Sequence, residues 1–334
     1  MNRMMRGAAL ARYDEVATRL GLDPHAMLRE VGLDPRFLAD TEARFPSENA
    51  LELLELSAAR SGCETFGLLL AEARRLSDYG PISLMLTHVP TMGDAIRTLM
   101  RFQRMLNEAL LIHLEDEGGE TVIVREELVS GHAVGTWRQG YELALGTLAH
   151  IFRGQPGPVL KPRRVLFTHG PPADLTVHRR LFGAGVVFHA DLNGIECSRQ
   201  DLDAPNPSAD AALVRYAEGF IRTLPFAQET SVALEVQKAI QALLPLDRAT
   251  IEGVASRLGM NRRTLQRRLA EEGGEFTSLL NDIRRDHALR YLANPNLSLE
   301  QVAELVGYRR QTSFARWFTA EFGVAPSAWR AAAR

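Results

Sequence analysis

The feature that most constrains this chain is a short pattern that occurs twice near its C-terminus. Residues 250–259 read TIEGVASRLG and residues 298–307 read SLEQVAELVG, so the two copies align at an offset of 48 residues. After the final glycine the second copy has one additional residue, and an offset of 49 then pairs Leu265 with Phe314. A repeat of this length indicates that one structural unit is used twice.

Each copy predicts a short helix, a turn and a second helix. Thr250 and Ser298 can accept hydrogen bonds from the free N–H groups at a helix start, and apolar residues follow at helical spacing. Gly259 and Gly307 suit the left-handed conformation that ends a helix, because glycine adopts it without steric cost. This succession is the helix-turn-helix arrangement. The two predicted units span about residues 250–271 and 298–322.

The outward faces of the two second helices decide what such units do. Arginine reads guanine with two hydrogen bonds, glutamine reads adenine, and threonine bonds bases or phosphates. Acidic residues, which alternate with basic ones on an ordinary solvated face, are nearly absent from both faces until Glu271 and Glu321. Two such faces in matching register favour recognition of double-stranded DNA. The predicted DNA contacts are Arg262, Arg263, Gln266, Arg267, Arg310, Gln311, Thr312 and Arg316.

The segment between the two units, residues 276–292, carries apolar side chains on one side and predicts a helix. At about 1.5 Å per residue this helix spans roughly 25 Å. With half of each unit added, the two second helices reach a separation of about 34 Å, one turn of DNA. One chain can then contact two successive major grooves. His287 invites a metal or pH-switch interpretation, but a single histidine among aliphatic residues favours a packed side chain.

Residues from about 234 to 330 resemble the DNA-binding domain of the AraC/XylS family of bacterial transcription regulators. The resemblance lies in ASRLGMNRRTLQRRL, IRRDHALRYL, VAELVGYRRQTSFARWF and the closing FGVAPSAWR. It implies an all-α domain with two helix-turn-helix units joined by a linker helix. It also implies an activator that binds promoter DNA and contacts RNA polymerase. By position, the family's base contacts fall on Arg263, Gln266, Arg267, Gln311, Thr312 and Arg316.

Charge is distributed unevenly along the chain. Residues 226–334 contain 15 Lys/Arg and 12 Asp/Glu, a net charge of +3, whereas the remaining residues carry −5, which gives the overall −2. A basic C-terminal segment attached to an acidic remainder favours DNA binding by that segment alone, rather than a general attraction of the whole chain to polyanions. No apolar run approaches the roughly 20 residues that span a bilayer, and Asp14 and Glu15 interrupt any signal-peptide core. We therefore expect no association with a membrane.

The two cysteines, Cys63 and Cys197, lie neither in a CxxC pair nor at a zinc-ligand spacing. We therefore expect a reducing, cytoplasmic setting, no metal and no cofactor. A redox switch through both cysteines is left open.

Residues 1–225 predict an α+β domain, with helices around a small mixed, mainly antiparallel sheet. The predicted helical segments are 8–38 with breaks at glycine and proline, a helix from Ser47, 66–73, 82–86, 95–110, 133–152, 175–182 and 211–224. The predicted strands are 110–114, 121–125, 164–168, 186–189 and 194–198. The loop-like segment 224–231 separates this regulatory domain from the DNA-binding domain, residues 226–334.

This first half resembles the arabinose-binding-type regulatory domain that one branch of the family carries. The matching stretches are FGLLLAEARRLSDYGPIS, PTMGDAIRTL, PRRVLFTH and RRLFGAGVVFHADLNGI. The resemblance implies a small-molecule effector and a homodimer. Arabinose itself does not follow from the label, because many relatives respond to amino acids or to other small molecules.

Two groups of side chains are candidates for the effector site. They are Arg75, Asp78 and Tyr79 beside a turn, and Trp137, Arg138 and Tyr141 on one predicted helix. Each group combines charge with an aromatic ring, as a small polar pocket requires. Each also has a purely structural alternative, in which Arg75 and Asp78 form an ion pair and the aromatic rings belong to the core.

Three functions are compatible with these features. The first is a sequence-specific regulator controlled by an effector, and the second is a constitutive regulator whose N-terminal half only dimerises. The third is an enzyme with a DNA-targeting tail, such as an alkyl-transfer repair protein, which requires an activated cysteine. Neither SGCET nor IECSR shows such a setting or a PCH-type motif, and no P-loop, nucleophile-elbow or zinc-protease motif occurs. We therefore predict a regulator and not an enzyme.

Overall fold

The computed structural model describes residues 3–116, 120–128, 137–154, 162–183, 185–224, 232–272, 274–294 and 297–332. These residues form two compact units, one up to Leu224 and one from Val232 onward. The N-terminal unit is mixed α/β and the C-terminal unit is helical, which confirms this coarse part of the fold prediction. No helix of the described chain is long and apolar enough to cross a membrane.

The N-terminal unit contains ten α-helices among the described residues, of which those at Pro24 and Ser47 begin at the predicted proline and hydroxyl positions. They are α1 (Tyr13–Arg19), α2 (Pro24–Glu30), α3 (Ser47–Ser61), α4 (Phe66–Ala73), α5 (Pro81–His88), α6 (Met92–Leu106), α7 (Arg138–Gly154), α8 (Thr176–Phe182), α9 (Arg199–Asp203) and α10 (Ala211–Thr223). Asp23 caps α2 by accepting from two backbone N–H groups, with Pro24 as its first residue. Part of the predicted helix 133–152 and most of the predicted linker 224–231 lie outside the described residues.

Two sheets accompany these helices. The strands are β1 (Met4–Arg6), β2 (Arg44–Pro46), β3 (Leu110–Asp116), β4 (Thr121–Leu128), β5 (Arg164–Leu166), β6 (Gly185–Val187) and β7 (Gly194–Ser198). The larger sheet has the order β3-β4-β7-β5-β6, in which only the β5–β6 pair is parallel. β1 and β2 form a separate antiparallel ribbon. Its strands of three residues are too short for an alternating pattern, and no sequence signal predicted them.

The predicted helix 95–110 is wrong at its C-terminal end, since α6 stops at Leu106 and Leu110 opens β3. Asn107 has extended backbone angles and forms an isolated bridge with Met5. The next residue, Glu108, donates its backbone N–H to the carbonyl oxygen of Met4 at 2.9 Å. Pairing with the distant N-terminal strand therefore ends the helix, although the local apolar spacing continues.

Helix α7 packs closely on α4 in the core of this unit. A Cβ on Gly67 would lie 2.2 Å from the carbonyl oxygen of Gln139, so glycine is required where the two helices approach. The Gln139 side chain also accepts from the Gly67 backbone N–H at 2.8 Å. Leu145, Leu148 and Phe152 on the same helix are buried in the main apolar cluster.

The C-terminal unit contains seven α-helices in the part of the chain that the structure describes. They are α11 (Val232–Leu243), α12 (Ile251–Arg257), α13 (Arg262–Glu271), α14 (Phe276–Ala293), α15 (Leu299–Leu305), α16 (Gln311–Phe322) and α17 (Pro326–Ala332). The unit has two apolar cores. Helix α14 contributes to both, with Leu279 and Ile283 in the first and Ala288 and Leu292 in the second.

Candidate nucleic-acid interface

The first helix pair, α12 and α13, is shaped by the local signals of the first repeat copy. Thr250 Oγ1 accepts from the Gly253 backbone N–H at 3.1 Å and caps α12. Gly259 has φ +65° and turns the chain out of the helix. Asn261 Oδ1 then accepts from the Thr264 backbone N–H at 2.8 Å, which caps α13. The predicted cap and the predicted glycine turn are both confirmed.

The second pair, α15 and α16, repeats this geometry. Ser298 Oγ accepts from the Gln301 backbone N–H at 3.1 Å, and Gln301 Oε1 accepts from the Ser298 N–H at 2.7 Å. This reciprocal capping box fixes the start of α15. Gly307 has φ +76° and ends it. The two copies therefore fold alike because each carries a hydroxyl residue that caps its first helix and a glycine that ends it.

The second helix of each pair buries one face in its own core. Leu265 and Leu269 of α13 belong to the first core, and Phe314 and Phe318 of α16 belong to the second. Trp317 packs partly buried against the second core, with its ring centroid 5.7 Å from that of Tyr308. Each helix is thereby anchored on one side and presents the other side to solvent.

All eight side chains predicted to contact DNA are exposed on or beside α13 and α16. On the first helix they are Arg262, Arg263, Gln266 and Arg267, and on the second Arg310, Gln311, Thr312 and Arg316. Residues on one outward helix face can enter a major groove, which is wide enough to admit a helix. The arrangement can therefore offer bidentate arginine and glutamine groups to base edges on each of two helices.

Ion pairs engage only some of these arginines. Arg262 Nη1 lies 3.0 Å from Glu252 Oε1, and Arg267 Nη1 lies 2.8 Å from Glu271 Oε1. Both pairs are exposed, and such pairs typically contribute ~1 kcal/mol or less. Among the described residues, Arg263, Arg310 and Arg316 have no ion-pair partner. These three cations are available to phosphates or bases without breaking an existing contact.

His287 is buried on α14, and its ring centroid lies 5.6 Å from that of Tyr291 in a T-shaped contact. This supports the packed interpretation of the residue. No group of three or more His, Cys, Asp or Glu side chains able to hold a metal occurs among the described residues.

The first group of effector candidates does not converge on one site. Asp78 Oδ2 accepts from the Arg75 backbone N–H at 2.9 Å and lies 3.5 Å from Arg12 Nε, so the partner cation of Asp78 is Arg12. Tyr79 is buried and lines a cavity in the N-terminal unit. The structure brings only Tyr79 of this group to that cavity.

The second group lies beside the same cavity. Trp137 packs with Leu51 and Leu128, which line the cavity, and Tyr141 Oη accepts from the Leu128 backbone N–H at 3.2 Å. Arg138 instead lies 3.6 Å from Glu64 and 3.4 Å from the buried Glu142. None of the three predicted residues is among the described residues that line the cavity.

Five polar side chains outside the two predicted groups line the cavity: Arg74, Gln103, Asn107, Glu126 and Thr147. Gln103 lies on α6 and Glu126 on β4, whereas Arg74 directly follows α4, and no common sequence pattern marks them. Arg74, Gln103 and Glu126 are buried, and burial raises the pKa of the Glu126 carboxyl to about 8. A perturbed carboxyl in a cavity is a physical reason to consider a binding site there.

Cys197 does not stand in an activating setting. Cys197 is buried on β7, and burial raises the pKa of its thiol to about 12, with the carboxylates of Asp201 and Glu196 acting in the same direction. A protonated thiol is not a nucleophile. Cys63 is partly buried, and both cysteines are free of disulfides.

Comparison with known proteins agrees with this geometry. Residues 21–206 match the arabinose-binding domain of AraC transcription regulators, and residues 254–332 match a helix-turn-helix domain. The chain is similar to the HTH-type transcriptional regulator VirS of Mycobacterium tuberculosis, with 29% identity over 328 residues, 98% of this chain and 96% of VirS. It is also similar to the ornithine utilization regulator of Pseudomonas aeruginosa, with 25% identity over 95% of this chain and 94% of that protein.

A third relative is the transcriptional activator NphR of Rhodococcus sp, which is 27% identical over 90% of this chain and 92% of its own length. The family match covers more than half of the chain and agrees with the expectation of a regulator rather than an enzyme. The chain belongs to the AraC family of transcription regulators, with an arabinose-binding-type domain followed by a helix-turn-helix DNA-binding domain.

Proposed function

We propose that this protein activates transcription by reading two successive major grooves of double-stranded promoter DNA, one with α13 and one with α16. In this proposal α12–α13 and α15–α16 are two helix-turn-helix units. The observation that carries the proposal is the pair of exposed, arginine-bearing helix faces in matching register, each on its own apolar core.

Helix α14 supplies the spacing between the two cores. It has 18 residues, which at about 1.5 Å each gives a length of ~27 Å. Adding part of each helix pair brings the reading helices to about 34 Å, the distance between successive major grooves on one face of DNA. Because one helix serves both cores, the spacing is built into the fold of the unit.

We assign base contacts to Arg263, Gln266 and Arg267 on α13 and to Gln311, Thr312 and Arg316 on α16. Arg262 and Arg310 stand at the beginnings of the same helices and complete the charged faces. Bidentate arginine and glutamine contacts would provide discrimination between base pairs. The positive charges would provide salt-dependent affinity for phosphates.

The protein would act as a homodimer in the cytoplasm, where a promoter and RNA polymerase are both accessible. Helix α10 supports a self-association surface, because Tyr216 is 71% exposed and Phe220 is 48% exposed one turn later. Adjacent exposed aromatic rings favour a covered interface. Sedimentation of the wild type against a Tyr216→Ser/Phe220→Ser variant tests the dimer, and a monomeric wild type contradicts it.

The activator role is supported by the relative NphR, a transcriptional activator.

The two-groove reading is tested with an operator selected in vitro from random duplexes by the full-length protein. Hydroxyl-radical footprints should show two protected windows about one helical turn apart on one DNA face. Inserting half a helical turn of DNA between the windows should abolish specific binding, whereas substitutions within the spacer should not. A single protected window, or indifference to the insertion, contradicts the proposal.

The N-terminal unit would control this activity by binding a small molecule. The lined cavity with buried polar groups favours an effector-controlled regulator over a constitutive one whose first half only dimerises. Native mass spectrometry of protein purified from its own host distinguishes the two. A retained small molecule supports control by an effector. Full activation by a protein whose cavity has been filled by mutation supports the constitutive alternative.

A further inference from the structure

The cavity in the N-terminal unit has a volume of about 90 Å³, several times the roughly 10–15 Å³ that holds one water molecule. Its walls come from the N-terminal segment, from α3, α6, α7, β3 and β4, and from the segment after α4. Most of the wall is hydrocarbon. The apolar lining includes Leu10, Leu54, Leu99, Ile112, Leu143 and Ile151.

Six polar side chains interrupt this wall, and four of them have a polar atom with no hydrogen-bond partner among the described residues. The atoms are Arg74 Nε and Nη2, Tyr79 Oη, Gln103 Nε2 and Glu126 Oε2. The four side chains belong to residues that are between 3 and 6% exposed. Buried polar groups in native proteins are nearly always paired, and leaving one unpaired is costly. Four such groups around one cavity indicate a surface that is complementary to a ligand.

The charge on this surface is positive. The guanidinium of Arg74 donates to Thr147 Oγ1 at 3.3 Å, and no carboxylate of the described residues lies within ion-pair distance of it. Burial raises the pKa of Glu126 to about 8, so its carboxyl is predominantly protonated at neutral pH. Arginine remains charged at any relevant pH. A buried and unpaired cation is strongly disfavoured without an anionic partner.

We propose that the cavity binds a small monocarboxylic acid with a hydrocarbon body, whose carboxylate pairs with Arg74. Tyr79 and Gln103 donate further hydrogen bonds to the polar end of the ligand, and the leucine and isoleucine walls take up its apolar body. The inference rests on the proposed function only in identifying this ligand as the effector.

The lining disfavours two other ligand classes. A sugar carries a hydroxyl on nearly every carbon, and burying those groups against leucine and isoleucine would leave them unpaired. A zwitterionic amino acid would also have to bury its ammonium group, and the Glu126 carboxyl of the described lining would first have to lose its proton to pair with it. Both classes serve as comparison ligands in the test.

The test is calorimetric titration of the full-length protein, without DNA, at neutral pH. The ligands are benzoate and the straight-chain acids from butanoate to octanoate. The matching primary amides, norleucine and L-arabinose are the comparison ligands. At least one acid should bind, and its uncharged amide should bind at least tenfold more weakly. No binding by any acid at millimolar concentration, or equal binding of acid and amide, overturns the proposal.

Two variants locate the site. Arg74→Met should weaken binding of the acid at least tenfold, whereas Arg138→Met, which changes a partly buried arginine outside the lining, should not. Ala144→Phe fills the cavity from α7 without removing any charge and should abolish binding. If Arg74→Met does not fold, Ala144→Phe decides. Unchanged binding by a folded Ala144→Phe protein, or loss of binding with Arg138→Met alone, overturns the proposed site.

Failure of this inference is distinguishable from failure of the proposed function. Operator binding is measured on the same proteins in the absence of any acid. A protein that binds its operator but none of the acids retains the DNA-reading role and loses only the assigned ligand class.

Discussion

Arginine side chains perform two different tasks in this protein, and their surroundings decide which. Arg263 and Arg316 are exposed, have no ion-pair partner among the described residues and keep their hydration. Arg74 is buried beside leucine and isoleucine walls and pairs with no carboxylate of the described chain. An exposed arginine stays hydrated without an anionic partner. A buried arginine destabilises the folded state until an anion pairs with it. The same residue type therefore indicates a DNA surface in one unit and a carboxylate site in the other.

At the residue scale, Arg267→Ala and Arg316→Ala should each weaken specific operator binding by about 1–3 kcal/mol, because each removes one base or phosphate contact. Fluorescence anisotropy titrations at fixed salt measure the change. Arg180→Ala is the matched control, since this exposed arginine pairs with Glu72 in the N-terminal unit. Affinities equal to the control for both variants would show that the site assignment is wrong.

Glu126→Gln provides a second test at the same scale. The pKa of the Glu126 carboxyl is raised from 4.5 to about 8 by burial. Between these values the folded state holds a proton that the unfolded state releases, so stability falls as pH rises through the window. The variant should lose this part of the pH dependence. Urea denaturation at pH values below and above the window measures the free energy of unfolding of both proteins, with the exposed Glu52→Gln as control. Parallel pH profiles of this free energy for wild type and Glu126→Gln would contradict the prediction.

At the element scale, each helix pair depends on one glycine in the left-handed conformation. Gly259 has φ +65° and open space where a Cβ would stand. Gly307 has φ +76°, and its Cβ would lie 3.0 Å from the carbonyl oxygen of Leu244. The two turns are alike in backbone conformation, but only the second is also in close contact with the segment after α11.

We therefore expect Gly259→Ala to destabilise the protein by about 1–2 kcal/mol through backbone strain alone. Gly307→Ala should cost more, since the backbone of Leu244 must also move. Thermal unfolding of the two full-length variants, followed by circular dichroism, measures both changes. An equal loss for the two glycines would show that the contact with Leu244 yields without cost.

The elements with local signals were predictable, and those that depend on distant partners were not. The caps at Thr250 and Ser298 and the helix α4 lie where the sequence places them, because hydroxyl groups and apolar spacing act within one or two turns. The end of α6 was missed since it is imposed by backbone pairing with Met4 and Met5, more than a hundred residues away. The cavity was missed for the same reason, since its lining is contributed by segments far apart in the chain.

At the scale of the whole molecule, the two proposed sites lie in different compact units. If a carboxylic acid bound in the first unit changes the affinity of the second for DNA, linkage requires the reverse effect to be equally large. Saturating operator DNA should therefore alter the dissociation constant of the acid by the same factor that the acid alters operator affinity. Paired titrations measure both factors. Ala144→Phe should remove the coupling while leaving operator affinity in the absence of the acid unchanged, and persistent coupling in this variant would place the effector elsewhere.

The sequence by itself determined the regulator family, the duplicated helix pairs and the arginine-rich faces, because each rests on short-range spacing that survives without knowledge of the fold. Only the tertiary structure decided which polar side chains share the buried cavity. Asp78 and Arg138 carry the more conspicuous sequence signals, yet Asp78 pairs with Arg12, and Arg138 lies beside Glu64 and Glu142. Burial and the absence of a partner are properties of packed surroundings, and they select Arg74 and Glu126 instead.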